Sequence, residues 1–363
     1  MIECTNCHRP YPEHGTPYRC PVCRGLYDFK EMPPFEAEKV DIALPGIWRY
    51  RSSFGLPEDT PIVSLGEGNT PVVWSEAFGQ QTAFKLEFTN PTGSFKDRGT
   101  TTLISFLKGR GVNEAVEDSS GNAGASFAAY AARGDIKAHV FIPETAAGPK
   151  RQQVQAYGAE IVPVPDPRSN SADRVMKTAD RGMTYASHAY LPFNLPGYAT
   201  IAYEIYAQLG IAPGSFICPA GQGGLLLGAA RGFNALVKAG KIPAVPRLFG
   251  VQARACAPLW AVSTYGAEGQ RWVTEAPTLA EGVRVRFPLR GDVVIKEVEK
   301  SGGAFLAVDE EEILPGRDQL SIRGLYVEPT SALVWSALGQ LSGQIPEPVI
   351  VILTGTGLKY INQ

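Results

Sequence analysis

The sequence lacks a dominant charge: 34 Lys and Arg stand against 36 Asp and Glu among 363 residues, a formal net charge of -2. Such a balance leaves no electrostatic footprint for nucleic acid or an anionic membrane surface. No apolar run approaches the ~20 residues that cross a bilayer. The opening Met1-Ile-Glu-Cys4 has neither the basic start nor the apolar core of a secretion signal. The expectation is therefore a cytoplasmic chain with no membrane or nucleic-acid partner. Internal repeats and low-complexity tracts are also missing, which argues against solenoids and disordered tails. Beyond residue 23 only Cys218 and Cys256 remain, far apart, so no disulfide framework is expected.

What is there suits a packed globular chain: hydrophobic residues make up 44% and charged residues 19%. The length suggests about two or three domains. Apolar runs that read as buried strands lie at His139–Pro143, Ile161–Val164, Phe216–Pro219, Leu248–Gln252 and Val349–Thr354. Amphipathic stretches that read as helices lie at Thr101–Lys108, Ala123–Arg133, Gly148–Tyr157, Ala172–Arg181, Tyr198–Leu209, Leu225–Ala239 and Ser331–Leu341. Short strands alternating with helices of this length imply βαβ units and an α/β fold. The stretch Pro258–Arg290 shows no clear period.

Residues 1–30 stand apart, rich in Cys, Pro and Tyr, and a Pro-containing stretch at Met32–Phe35 follows them. Cys4-x2-Cys7 and Cys20-x2-Cys23 are separated by 12 residues. Each pair can hold two thiolates on one tight turn, and two turns supply the four ligands of a tetrahedral structural Zn²⁺. The competing reading is a ribbon that has kept its cysteines without the metal. His8 and His14 read as surface residues, because four cysteines complete the site.

Three further segments carry chemistry, and a fourth ends the last strand. In Asn90-Pro-Thr-Gly-Ser-Phe-Lys-Asp-Arg-Gly99 a turn starts a helix near Lys96. A lysine at the positive end of a helix dipole is disfavoured as an ammonium, and the neutral amine is the form that attacks an aldehyde cofactor. A plain surface charge is the alternative. Ser119-Ser120-Gly121-Asn122 precedes a helix, and N–H groups there can hold a carboxylate or simply cap the helix. Gly221-Gln222-Gly223-Gly224 lies between a strand and a helix, where glycines permit either a phosphate cradle or just a tight turn. Thr354-Gly-Thr-Gly-Leu-Lys359 ends the last apolar strand, at the kind of strand end where α/β ligand sites gather.

Taken in order, these segments resemble the threonine synthase branch of the fold-type II pyridoxal-phosphate (PLP) enzymes, the tryptophan synthase β-like group. The resemblance also takes in Leu65-Gly-Glu-Gly-Asn-Thr-Pro71, Ala280-Glu-Gly282 and Glu328-Pro-Thr-Ser331, and spans nearly the whole chain. It implies two doubly wound open sheets with the PLP cleft between them, plus a small zinc-ribbon-like module. The implied domains are residues 1–30 (module), 31–96 with 190–363 (large, PLP-binding) and 97–189 (small). Lys96 would carry the cofactor as a Schiff base, and Asn122 would bond its ring oxygen. Gly221, Gln222, Gly223 and Gly224 would bind its phosphate, with Thr354 at the pyridine nitrogen. Ser119, Ser120 and Gly121 would hold the substrate carboxylate. The family habit is a homodimer acting on a small amino acid.

One stretch departs from the family pattern. Where threonine synthases of this branch usually carry Asn-Ser-x-Asn-Pro-x-Arg-x-Glu-Gly, this chain has His188-Ala-Tyr-Leu-Pro-Phe-Asn-Leu-Pro-Gly197. Asn194 replaces the arginine and Pro196 the glutamate. A phosphate dianion leaving water needs several charge-assisted donors. The expectation is retained PLP chemistry with an altered substrate-phosphate site, in which His188, Asn194, Tyr190 and Phe193 face a less anionic substrate. Arg284 or Arg286 is the alternative source of donors. The activity implied is elimination or replacement, like the conversion of O-phosphohomoserine to threonine. Two alternatives are β-elimination or β-replacement on serine, threonine, cysteine or an O-substituted serine, and a catalytically silent PLP-binding regulator.

Overall fold

The computed structural model describes residues 1–145, 148–165 and 169–360. The chain forms two compact units. One comprises Met1–Gly68 and Lys96–Gly197; the other comprises Asn69–Phe95 and the chain from Tyr198 onward.

The first unit is built on four parallel strands in the order Glu160–Val164, Lys137–Pro143, Glu114–Glu117 and Thr184–Tyr185. The helices Lys96–Gly109, Asn122–Arg133, Pro149–Ala156 and Ser169–Ala179 connect them or precede them. Leu103, Ile104, Leu107, Phe127, Tyr130, Val140 and Ile142 fill one apolar core. The alternation read from the sequence is therefore realised, with the lysine helix beginning at Lys96 itself.

The bounds of this unit differ from the expected domains. Residues 31–68, expected in the large domain, pack here with the small sheet. The Trp48 Nε1 donates to Thr101 Oγ1 at 2.9 Å, and Thr101 Oγ1 donates to the Val63 carbonyl at 2.6 Å. Tyr130 donates to the buried Glu67 carboxylate at 2.7 Å. Isolated polar residues spread along an irregular segment leave no periodic trace, so nothing in the sequence assigned them to a partner.

The cysteine module also docks on this unit. Its two turns follow one pattern. The Cys4 carbonyl accepts from His8 N and Cys4 N donates to the Arg9 carbonyl; Cys20 repeats both bonds with Arg24 and Gly25. His8 and Arg24 occupy the left-handed region at φ 57° and 62°, where a non-glycine residue is uncommon. Tyr11 packs edge-on against Phe106 and Phe193, Thr16 bonds Thr184, and Tyr18 and Arg24 reach Asp180.

The second unit carries six strands in the order Ala304–Val308, Arg247–Ala253, Ser215–Pro219, Val349–Ile352, Gln80–Lys85 and Val72–Ala77. All neighbours are parallel except the last pair, an antiparallel hairpin at one edge. Gly224–Lys238 and Pro329–Leu341 are its longest described crossover helices besides Leu195–Leu209. The stretch Pro258–Arg290 resolves into one helix, Pro258–Tyr265, followed by short 3-10 turns and irregular chain. Among the described residues no helix is long and apolar enough to cross a membrane.

Candidate functional site

In the first unit, Lys96 is the first residue of its helix and Asn122 the first of the next. A buried polar knot joins the two helix starts. Ser126 Oγ donates to Asp97 Oδ1 at 2.6 Å and lies 2.8 Å from Thr100 Oγ1, while Thr100 Oγ1 donates to the Lys96 carbonyl at 3.0 Å. The Ser119–Gly121 turn sits over the start of the second helix. A Cβ on Gly124 would fall 1.8 Å from the Ser119 carbonyl, so only glycine permits that approach. Gly121 offers no side-chain cap to the helix, and its own N–H donates to Ser119 Oγ at 3.2 Å.

Two further side chains stand at adjacent strand ends of this unit. Glu117 ends its strand, two residues before Ser119, and His188 follows the neighbouring strand Thr184–Tyr185. Glu117 Oε1 lies 2.6 Å from His188 Nδ1. Its side chain is 1% exposed and that of His188 25%. Burial pushes the Glu117 carboxyl up to about 8, against the pull of the Lys96 charge and the His188 backbone amide. Glu117 was not among the residues expected from sequence. Its partner is 71 residues away, and an acidic residue beside Ser-Ser-Gly-Asn carries no periodic or motif signal.

The 188–194 loop is held from within. Ser187 Oγ accepts from Ala189 N and Tyr190 N, and Asn194 Nδ2 donates to the His188 carbonyl at 2.5 Å. Two residues expected to face substrate do not. Phe193 is buried and stacks on Phe106 with ring centroids 3.5 Å apart, because an apolar ring there completes the core under the cysteine module. Tyr190 turns toward the module, where Arg19 donates to its hydroxyl and lies over its ring.

In the second unit, Gly221–Gly224 links the strand Ser215–Pro219 to the helix Gly224–Lys238. Gly223 is left-handed at φ 79°, and a Cβ there would lie 2.7 Å from Val294. A Cβ on Gly221 would lie 2.8 Å from the Gly282 carbonyl. The Gln222 side chain accepts from Leu289 N at 3.0 Å, and the glycines on either side of it carry no side chain that would block a phosphate. Gly282 N in turn donates to Thr330 Oγ1 at 3.0 Å. The Ala280-Glu-Gly282 and Glu328-Pro-Thr-Ser331 motifs are thus braces behind the glycine loop.

Thr354 is fixed on three sides. Its N–H donates to Ser331 Oγ at 2.9 Å, its carbonyl accepts from Phe95 N at 3.0 Å, and the residue is buried. Its Oγ1 nevertheless has no hydrogen-bond partner among the described residues. Leaving a buried hydroxyl unsatisfied costs about 1–3 kcal/mol, and such an atom points to an external acceptor. A pyridine nitrogen has that chemistry. With the glycine cradle, it makes this half a fit for PLP. The four cysteine sulfurs lie within 4.8 Å of one another, with 3.4 Å between Cys4 and Cys23 and 3.6 Å between Cys7 and Cys20. Tetrahedral zinc with Zn–S of about 2.3 Å sets sulfurs roughly 3.8 Å apart, so this donor set fits a metal.

Residues 63–355 match the family described as pyridoxal-phosphate dependent enzyme. The chain is 33% identical to the threonine synthase of Methanocaldococcus jannaschii over 99% of this chain and 93% of that one. It is 34% identical to the threonine synthase of Bacillus sp. (strain ULM1) over 86% and 89%. Among solved structures, a threonine deaminase from T.th. superposes with a TM-score of 0.68 at 26% identity, covering 81% of this chain and 94% of that one. Maize serine racemase superposes with a TM-score of 0.69 at 22% identity, over 79% and 88%, a likeness of fold alone.

Proposed function

The chain belongs to the pyridoxal-phosphate dependent enzymes, in their threonine synthase-like branch with fold type II, and on that premise we propose that it eliminates or replaces a side-chain group of a non-phosphorylated amino acid. The observation that carries the cofactor assignment is the buried, unpartnered Thr354 Oγ1. PLP, when bound, supplies the electron sink that makes a substrate Cα–H acidic. Lys96 would hold it through Nζ and, once displaced by the substrate amine, would take the Cα proton on the same atom. Asn122 would bond the ring oxygen, and the Gly221–Gly224 amides would receive the phosphate. Thr354 would meet the pyridine nitrogen with a neutral hydroxyl, which does not enforce a proton there and so favours elimination or replacement over transamination. The Ser119–Gly121 turn would orient the substrate carboxylate at its helix start. Cys4, Cys7, Cys20 and Cys23 would hold a structural zinc with no open position for substrate. A homodimer, the habit of the resembled branch, is part of the same proposal.

The altered 188–194 loop supports a substrate other than a phosphate ester. Asn194 occupies the arginine position, and its amide is engaged by the His188 carbonyl. A second reading, threonine synthase acting on O-phosphohomoserine, is favoured by Arg284 and Arg286, whose buried Nε atoms have no partner among the described residues. One assay separates the two. Purified holoenzyme is given O-phosphohomoserine, serine and threonine in parallel. The first reading expects 2-oxo acid from serine or threonine and little threonine from the phosphate ester. Efficient threonine release establishes the second.

A further inference from the structure

We propose that Glu117 and His188 together form the recognition end of the substrate pocket, selecting an amino acid whose side chain ends in a donor-bearing hydroxyl or amine and excluding phosphate esters. This deepens the function proposed above and rests on it. The two residues stand at the carboxyl ends of adjacent parallel strands, where α/β proteins place ligand contacts. Glu117 lies two residues from the Ser119–Gly121 turn and feels the Lys96 charge, so it belongs to the same half-site.

The chemistry follows from the two carboxyl oxygens. Oε1 is engaged by His188 Nδ1 at 2.6 Å. Oε2 is fully buried and has no hydrogen-bond partner among the described residues. A buried carboxyl oxygen without a donor is unfavourable for the free protein and is relieved by a ligand that brings one. A hydroxyl or an ammonium does so. A phosphate dianion brings only acceptors and further negative charge, next to a carboxyl and in a loop from which the arginine is gone. His188 fixes the carboxyl rather than competing for it, because its backbone is pinned by Asn194 and by the Ser187 turn. Neither residue is needed to take the Cα proton, which Lys96 accepts, so their role is specificity.

The test is a spectral titration of the holo-protein with L-serine, L-homoserine, L-2,3-diaminopropionate, L-alanine, O-phospho-L-serine and O-phospho-L-homoserine. The readout is the perturbation of the cofactor's visible band, which reports binding without turnover. Wild type is expected to bind the hydroxyl and amine ligands roughly severalfold to tenfold more tightly than alanine, the net worth of one hydrogen bond to a buried acceptor, and both phosphate esters more weakly than alanine. Glu117→Leu should bring the donor-bearing ligands to the alanine value while alanine itself is unchanged. Should that variant not fold, His188→Asn, at a partly exposed position, should reduce the same preference severalfold. Variants that keep the wild-type preference, or a wild type that prefers the phosphate esters, overturn the inference while leaving the PLP chemistry standing. A wild type whose band no amino acid perturbs overturns both.

Discussion

The two units divide the labour in different materials. The second offers backbone: a glycine loop braced by Gly282 and Thr330, and one neutral hydroxyl at Thr354. The first offers side chains that carry charge or protons: Lys96, Glu117 and His188. Backbone amides cannot be exchanged by substitution and tie a loop to one anion. Side chains at strand ends can be replaced without disturbing the sheet beneath. In the sequence, the glycine and threonine motifs keep the pattern of the resembled branch while residues 188–197 depart from it.

The contrast can be broken most severely at Lys96. Lys96→Ala should lower turnover by about 10²–10⁴-fold or more, the range for losing a positioned acid–base group, and abolish borohydride-stable attachment of PLP. Mass spectrometry of the reduced protein reads this directly. Retained attachment at another lysine would remove the asymmetry. A metal chelator should come next. If zinc sits on the four cysteines, its removal should lower the melting temperature by about 5 °C or more. Faster hydrogen exchange should be confined to residues 1–30 and the strand and loop around 184–194, with the six-stranded unit untouched. Exchange spread over both units would show that the module does not belong to one of them.

Thr354→Val tests the second unit with opposite signs. Removing an unsatisfied buried hydroxyl should leave the apo-protein as stable or raise its stability by about 1 kcal/mol, while PLP affinity falls severalfold. Parallel apo and holo melting curves decide it, and a destabilised apo-protein would mean the hydroxyl has a structural partner.

The smallest effect is in pH. The Glu117 carboxyl is raised in the fold to about 8. Its contribution to stability is therefore fully present below the ordinary carboxyl value and is lost as pH rises through about 8, because the unfolded chain ionises first. Glu117→Gln should flatten the fall in melting temperature over that window. An unchanged slope would show that the group is ionised in the fold.

Much of this architecture was legible because the motifs carry their own geometry. Glycines at 221–224 announce a close approach, and Lys96 follows a turn. The edge hairpin Val72–Ala77 and Gln80–Lys85 was not read, since its first strand leaves Trp74 and Val73 exposed and mixes polar with apolar residues. The helix Glu310–Ser321 was hidden by Pro315 in its interior, although Asp309 and Glu312 form a reciprocal cap at its start. Strand Glu114–Glu117 begins and ends on an acidic residue and has only two apolar positions, too few to register as a run. Tyr190 and Phe193 were expected toward substrate because they lie in the stretch that matches the branch's phosphate-binding motif. Only packing reveals that the cysteine module claims both.

That last packing makes the ribbon a splint. Tyr11 closes over the Phe106–Phe193 stack, and Arg19 grips Tyr190 in the loop that carries His188. A minimal catalytic core cut at residue 31 would look reasonable on paper, since no expected catalytic group is lost. It would also bare an apolar ring stack and release the loop to which the proposal above assigns substrate choice. Anyone re-engineering this chain would do well to treat its first thirty residues as scaffolding of the Tyr190–Phe193 segment rather than as a removable leader.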